Sequence, residues 1–303
     1  MFPFMGLRLN NRIDFCVGKC GTMVNLYLCF VLSVLTFNPD AGMAPAFVDR
    51  SQDIPDYCQT NPEGQFPDHG AYFCGPVAVS NSLMSLAKNG FPRLVPSEMR
   101  DQDAQVKLIH QLASSGYINT TQRRGTNPPR LMAGVKRLIE ESGYHIERLE
   151  QQGWMAWTSD FPALAKVPSL EWIRQGFGSE RSAVWLNVGW YALDRETQTY
   201  HRFGGHWVTL VGYGKDRNGQ EDCMTVMIHD PSPRTGITTL TQYIKLVPLK
   251  AGVLMRNLSS TRQVRQNAEG FLEMKGEMRL KTGADAAILD AAVVLVIKDA
   301  SLR

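Results

Sequence analysis

The sequence predicts an α+β fold from three observations. Apolar residues recur at helical spacing between Val77 and Ser142, alternating apolar residues dominate from Ala183 to His229, and no internal repeat or low-complexity tract divides the chain. A helical half followed by an antiparallel half is α+β order. At 303 residues the chain is long enough to bury a core without disulfide support.

The elements follow in order. Met23 to Phe37 is an apolar run of 15 residues, preceded by Arg8, Arg12 and Lys19 and followed by Ala44-Pro45-Ala46. It is shorter than the roughly 20 residues a spanning helix needs, and the two alanines give the A-x-A spacing of a signal peptidase site. Residues 1–46 are therefore expected to be a cleaved signal peptide, with translation from Met23 left open. The mature protein is expected to be secreted or periplasmic, with no stable membrane insertion after cleavage.

Residues 47–73, rich in Pro, Asp, Gly and Asn, read as a loop. Val77, Ala78, Leu83, Leu86 and Ala87 mark a helix that ends at Asn89-Gly90, with Pro76 in a first turn that tolerates proline. Further helices are expected over Asp103–Ala113, over Pro129–Ser142 with Gly143 as terminator, and around Leu170–Gln175. Ala183–Tyr191, His206–Tyr213 and Met224–His229 then alternate as strands, and Val293–Lys298 is a fourth candidate. Residues 252–283 are polar and carry no assignable element. The expected organisation is one domain over 47–250, with 251–303 as a C-terminal extension packed on it.

Charge narrows the function. Lys plus Arg number 32 against 29 Asp plus Glu, a net +3 that becomes +2 once residues 1–46 are removed, and no basic stripe is visible. Nucleic acid is therefore not an expected partner. His201 and His206 are five apart, and C-x-x-C and H-E-x-x-H are absent, so neither a metal nor a cofactor is expected. Beyond the leader only Cys58, Cys74 and Cys223 remain, an odd number. In an oxidising compartment that suggests one disulfide and one thiol kept free for a function.

Cys74 lies at the start of the first expected helix, where unpaired backbone N–H groups and the helix dipole favour a thiolate. His206, in G-G-H-W-V-T-L-V-G-Y-G, is expected at the beginning of a strand, held well enough to act as a base. His69, His110, His145 and His201 have no comparable setting. Asp230 follows a strand in H-D-P-S-P, where its carboxylate can reach a histidine on a neighbouring strand or simply start a turn. The six tryptophans can line a groove, but their spacing suits a core.

The runs D-I-P-D-Y-C-Q, F-C-G-P-V-A-V-S-N-S-L, G-G-H-W-V-T-L-V-G-Y and H-D-P resemble the peptidase C39-like group of papain-like cysteine proteases, over about Asp53 to Pro231. The resemblance implies a papain-like fold, a helical half packed on an antiparallel sheet, and a catalytic triad. Cys74 would be nucleophile, His206 general base and acid, and Asp230 the carboxylate that orients His206. Gln59 would donate to the oxyanion, with Gln65 as second candidate. The implied activity is hydrolysis of peptide or amide bonds in a peptide or protein substrate. Acyl transfer, cell-wall amidase activity and an inactive binding module are the alternatives on the same fold. With Cys74 reserved as nucleophile, Cys58 and Cys223 are the pair expected to form the disulfide. Oligomeric state and substrate identity are not legible in the sequence.

Overall fold

The computed structural model describes residues 44–95, 101–120, 125–155, 157–232, 241–258 and 262–299. The apolar run expected to be the signal lies outside the described residues. Among them, no helix is long and apolar enough to cross a membrane. The described part contains four α-helices and one large mixed sheet, an α+β architecture.

The helices come first. α1 spans Cys74–Lys88, α2 Asp101–Ala113 and α3 Pro128–Glu141. α1 is buried from Gly75 to Leu86, as expected of a helix apolar on several faces. α2 and α3 cover it, and α3 starts cleanly because Asn127 Oδ1 accepts from the Arg130 N–H at 3.0 Å, one residue before the expected start. α4, Leu170–Phe177, extends two residues past its expected end, capped at its start by Ser169.

Ten strands follow the chain: β1 Val48–Asp49, β2 Tyr144–Gly153, β3 Ser182–Asp194, β4 Thr199–Lys215, β5 Glu221–His229, β6 Gln242–Pro248, β7 Val253–Asn257, β8 Gln263–Asn267, β9 Leu272–Gly276 and β10 Ala286–Asp299. All pairings are antiparallel except β4 with β7, so the sheet is mixed rather than purely antiparallel. The pairings β3–β4, β4–β5, β5–β6, β6–β9, β9–β10 and β10–β3 close on themselves, so these six strands form a small barrel. Strand alternation separates two cores. Val184, Leu186, Val188, Val208 and Leu210 face the barrel interior with Ile173 and Phe177 of α4, whereas Ala183, Trp185 and Trp207 face the helices.

Two further expectations are corrected. The stretch expected as a C-terminal extension over 251–303 is no extension: its described residues supply four strands of the same sheet, and β10 lies between β2 and β3, buried from Ala286 to Leu295. Cys58, Cys74 and Cys223 are all free thiols, so the Cys58–Cys223 disulfide is not formed. Cys58 Sγ lies 3.3 Å from the Ser232 carbonyl, beyond the C-terminal end of β5, whereas Cys223 is exposed near its beginning. The six residues from Cys223 to His229 span about 20 Å of extended chain, far beyond the roughly 7 Å Cα separation a disulfide tolerates.

Candidate active site

Cys74 is the first residue of α1, and Phe73 before it provides no side-chain cap. The N–H groups of Cys74 and Gly75 therefore have no partner within the helix, Pro76 has no N–H, and the first intrahelical donor is Val77, bonded to the Phe73 carbonyl at 3.0 Å. The helix end is fixed against the sheet. Thr209 Oγ1 and Trp185 Nε1 both donate to the Ala78 carbonyl, at 2.9 and 3.2 Å, and Trp207 Nε1 donates to the Thr126 carbonyl at 2.8 Å. Gly75 is required here, since a Cβ would stand 2.8 Å from Thr126 Oγ1.

His206 sits within β4, not at its beginning, because the strand starts seven residues earlier at Thr199. Its cross-strand partner is Val188 of β3. The imidazole is buried, stacks at 23° on Trp190 with ring centres 6.1 Å apart, and donates from Nε2 to Asp230 Oδ1 at 2.6 Å. Cys74 acts on the same ring, though more weakly than Asp230. Burial opposes the charged imidazolium, but the carboxylate of Asp230, in charge and hydrogen bond, together with Cys74, raises its pKa. Burial likewise opposes the Asp230 carboxylate, and His206 and Ser232 outweigh it and lower its pKa.

Asp230 follows β5 directly, so the strand end delivers it to the neighbouring strand's histidine. Ser232, which the sequence reading did not single out, completes the arrangement. Its N–H donates to Asp230 Oδ1 at 2.8 Å, its hydroxyl also donates to that oxygen, and Oγ lies 3.3 Å from His206 Nε2. The one signal for it was the S of H-D-P-S-P, indistinguishable from ordinary turn chemistry.

Gln59 and Gln65 end up in different places. Gln59 is buried, and its backbone N–H donates to the Pro231 carbonyl at 2.9 Å, which ties its loop to the Asp230–Ser232 segment. Its Nε2 donates to the Gly70 carbonyl at 2.8 Å and to Ala71 at 3.3 Å, while Oε1 is buried without a partner among the described residues. Gln65 is exposed, with left-handed backbone at φ 47°.

A cavity of about 560 Å³ opens beside the pair. Gln59, Trp190, Gly205, His206, Asp230 and Ser232 line one side, and the turn between β9 and β10 lines the other. Cys74 is half-buried and does not line it. Of the tryptophans, Trp185 and Trp207 are core, Trp157 is exposed, and Trp190 alone lines this cavity. The remaining sequence histidines lie elsewhere: His110, for instance, bonds the Gly64 carbonyl at 2.8 Å.

The arrangement joins a thiol at a helix N-terminus, a buried imidazole bonded to a carboxylate and raised in pKa by that thiol as well, and an amide nearby, the components of a thiol–imidazole nucleophile. A scan against protein-family models and a search of curated proteins found no match for this chain.

Proposed function

We propose that the protein is a papain-like cysteine peptidase of the C39-like kind, which hydrolyses peptide or amide bonds through a thioester. The observation that carries this reading is the buried His206–Asp230 pair, with Cys74 at the N-terminus of α1 as the third interacting group.

In this reading the Cys74 thiolate attacks the substrate carbonyl carbon and forms the C–S bond. The resulting oxyanion is held by the backbone N–H at Cys74 and by Gln59, whose longer bond, to Ala71 at 3.3 Å, is the one an oxyanion would displace. The C–N bond then breaks as the His206 imidazolium gives its proton to the leaving amine. Water, losing a proton to His206, attacks the thioester, and the acid product leaves with the thiol restored. Asp230 stays ionised throughout and holds the ring. The apolar leader supports secretion, with a peptide or protein as substrate.

Digestion of a proteome-derived peptide library tests this reading. Wild-type protein should produce new peptide termini that Cys74→Ala protein does not. Identical digests from the two would refute it.

A further inference from the structure

The cavity beside His206 carries charge that the chemistry above does not use. Its outer wall is the turn between β9 and β10, pinned at both ends. Met278 is buried in the barrel core, while the N–H groups of Ala284 and Asp285 donate to the Lys281 and Tyr191 carbonyls at 2.9 and 2.8 Å. Between these anchors, Arg279 and Lys281 are exposed and line the cavity. Lys281 Nζ lies 5.7 Å from the Phe203 ring centre, and Gly204 makes room for it: a Cβ there would stand 3.3 Å from Nζ.

Both carboxylates of the cavity are engaged. Asp230 is bonded to His206 and Ser232, and Glu277 is paired with Arg217 and accepts from the Tyr243 N–H at 2.9 Å. Neither Arg279 nor Lys281 forms an ion pair among the described residues. Two uncompensated cations over a concave site attract anions. The cavity's location also identifies the part of a substrate it would hold. It is lined by His206, which protonates the leaving amine, and by Gln59, but not by Cys74, which keeps the acyl part.

We propose that this cavity is the leaving-group-side subsite, and that Arg279 and Lys281 select substrates bearing a carboxylate just beyond the scissile bond, from an acidic side chain or a free C-terminus. The proposal rests on the peptidase reading of Cys74, His206 and Asp230. The turn that supplies both cations belongs to the region whose role the sequence left unassigned.

The test is binding, so it does not require turnover. Full-length Cys74→Ala protein is titrated calorimetrically with three short peptides that have free amino termini. The first carries Glu at its first two positions and an amidated end, the second is the same with Gln, and the third is a Gln dipeptide with a free carboxylate. The first or third should bind about fivefold to tenfold more tightly than the second, as two partly enclosed ion pairs would give. Preference for the first assigns the side chain, and preference for the third assigns the C-terminus. Arg279→Gln with Lys281→Gln should erase the difference, and Arg279→Glu with Lys281→Glu should turn it toward a Lys peptide. Equal binding of all three, no binding, or a preference that survives the double Gln variant would overturn the proposal. A wild-type digest run in parallel separates the two claims, because a carboxylate preference without any cleavage would remove the peptidase reading alone.

Discussion

Asp230→Asn removes one charge and little else. The amide oxygen can still accept from His206 Nε2 and from the Ser232 N–H, bonds now 2.6 and 2.8 Å long, so the ring keeps its place. The imidazolium, however, loses its counter-charge in a site where both side chains are almost fully buried. An opposite charge at hydrogen-bond distance favours the charged form by about 1.4 to 4 kcal/mol, one to three decades in the ionisation equilibrium. Without it, burial, the factor that already opposes the charged ring, prevails, and a Cys74 thiolate can no longer be held by an imidazolium. The assay is the rate of Cys74 alkylation by iodoacetamide between about pH 4 and 9. At about pH 6 the variant should react roughly ten to a thousand times more slowly than wild type. Superimposable pH profiles for the two proteins would refute the thiolate–imidazolium reasoning.

Other consequences follow from the same contacts. The raised pKa of His206 makes its contribution to stability complete below its unfolded value of 6.5 and lost as pH rises through the folded value. The lowered pKa of Asp230 makes its contribution present above 3.8 and lost as pH falls. The unfolding free-energy difference between wild type and Asp230→Asn should therefore peak between pH 3.8 and 6.5, and a flat difference in urea titrations across the range would contradict this. Gln59→Ala should lower turnover about a hundredfold if it donates to the oxyanion. Gln65→Ala, at an exposed site away from the cavity, should change it little, and the reverse outcome in steady-state kinetics would reassign the donor. Asp290 is fully buried and accepts from Trp154 Nε1 at 2.8 Å, from the Tyr191 hydroxyl and from Arg202 Nε at 2.6 Å. Asp290→Ala strands those donors, Arg202 above all, and should cost about 3 to 5 kcal/mol in chemical denaturation. A loss under about 1 kcal/mol would show that the cluster is not holding the barrel.

What the sequence made legible follows physical lines. α1, α3 and α4 announce themselves through apolar spacing and through local punctuation such as Gly143 and Pro76, and β3 and β5 through buried, nearly continuous apolar runs. β2 was hidden, because His145, Glu147, Arg148 and Glu150 give it a polar, half-exposed edge-strand pattern with no apolar alternation. The full length of β10 was hidden by Asp290, a carboxylate that reads as a surface residue until Trp154, Tyr191 and Arg202 surround it. β6 to β9 are only five to seven residues long, and β6 and β7 are fixed by pairing with β9 and β4, which lie far along the chain. The placement of Cys74 at a helix start and of Asp230 at a strand end was readable, whereas His206 was expected at the beginning of a strand and lies seven residues into β4, because the polar residues before it do not announce the strand. Ser232 was not, since its bond to Asp230 depends on the exact path of the chain after Pro231. The Cys58–Cys223 pairing failed because cysteine arithmetic ignores the length of β5 between Cys223 and the site.

The central claim is that Cys74 is a nucleophile activated by His206. The most direct measurement treats the purified protein with a thiol-directed epoxide inhibitor and maps the adduct by mass spectrometry in wild type and in His206→Ala. The account predicts an adduct on Cys74 in wild type, none there in His206→Ala, and Cys58 unmodified in both. Cys74 unlabelled while the exposed Cys223 reacts, or Cys74 labelled equally with and without His206, would contradict it.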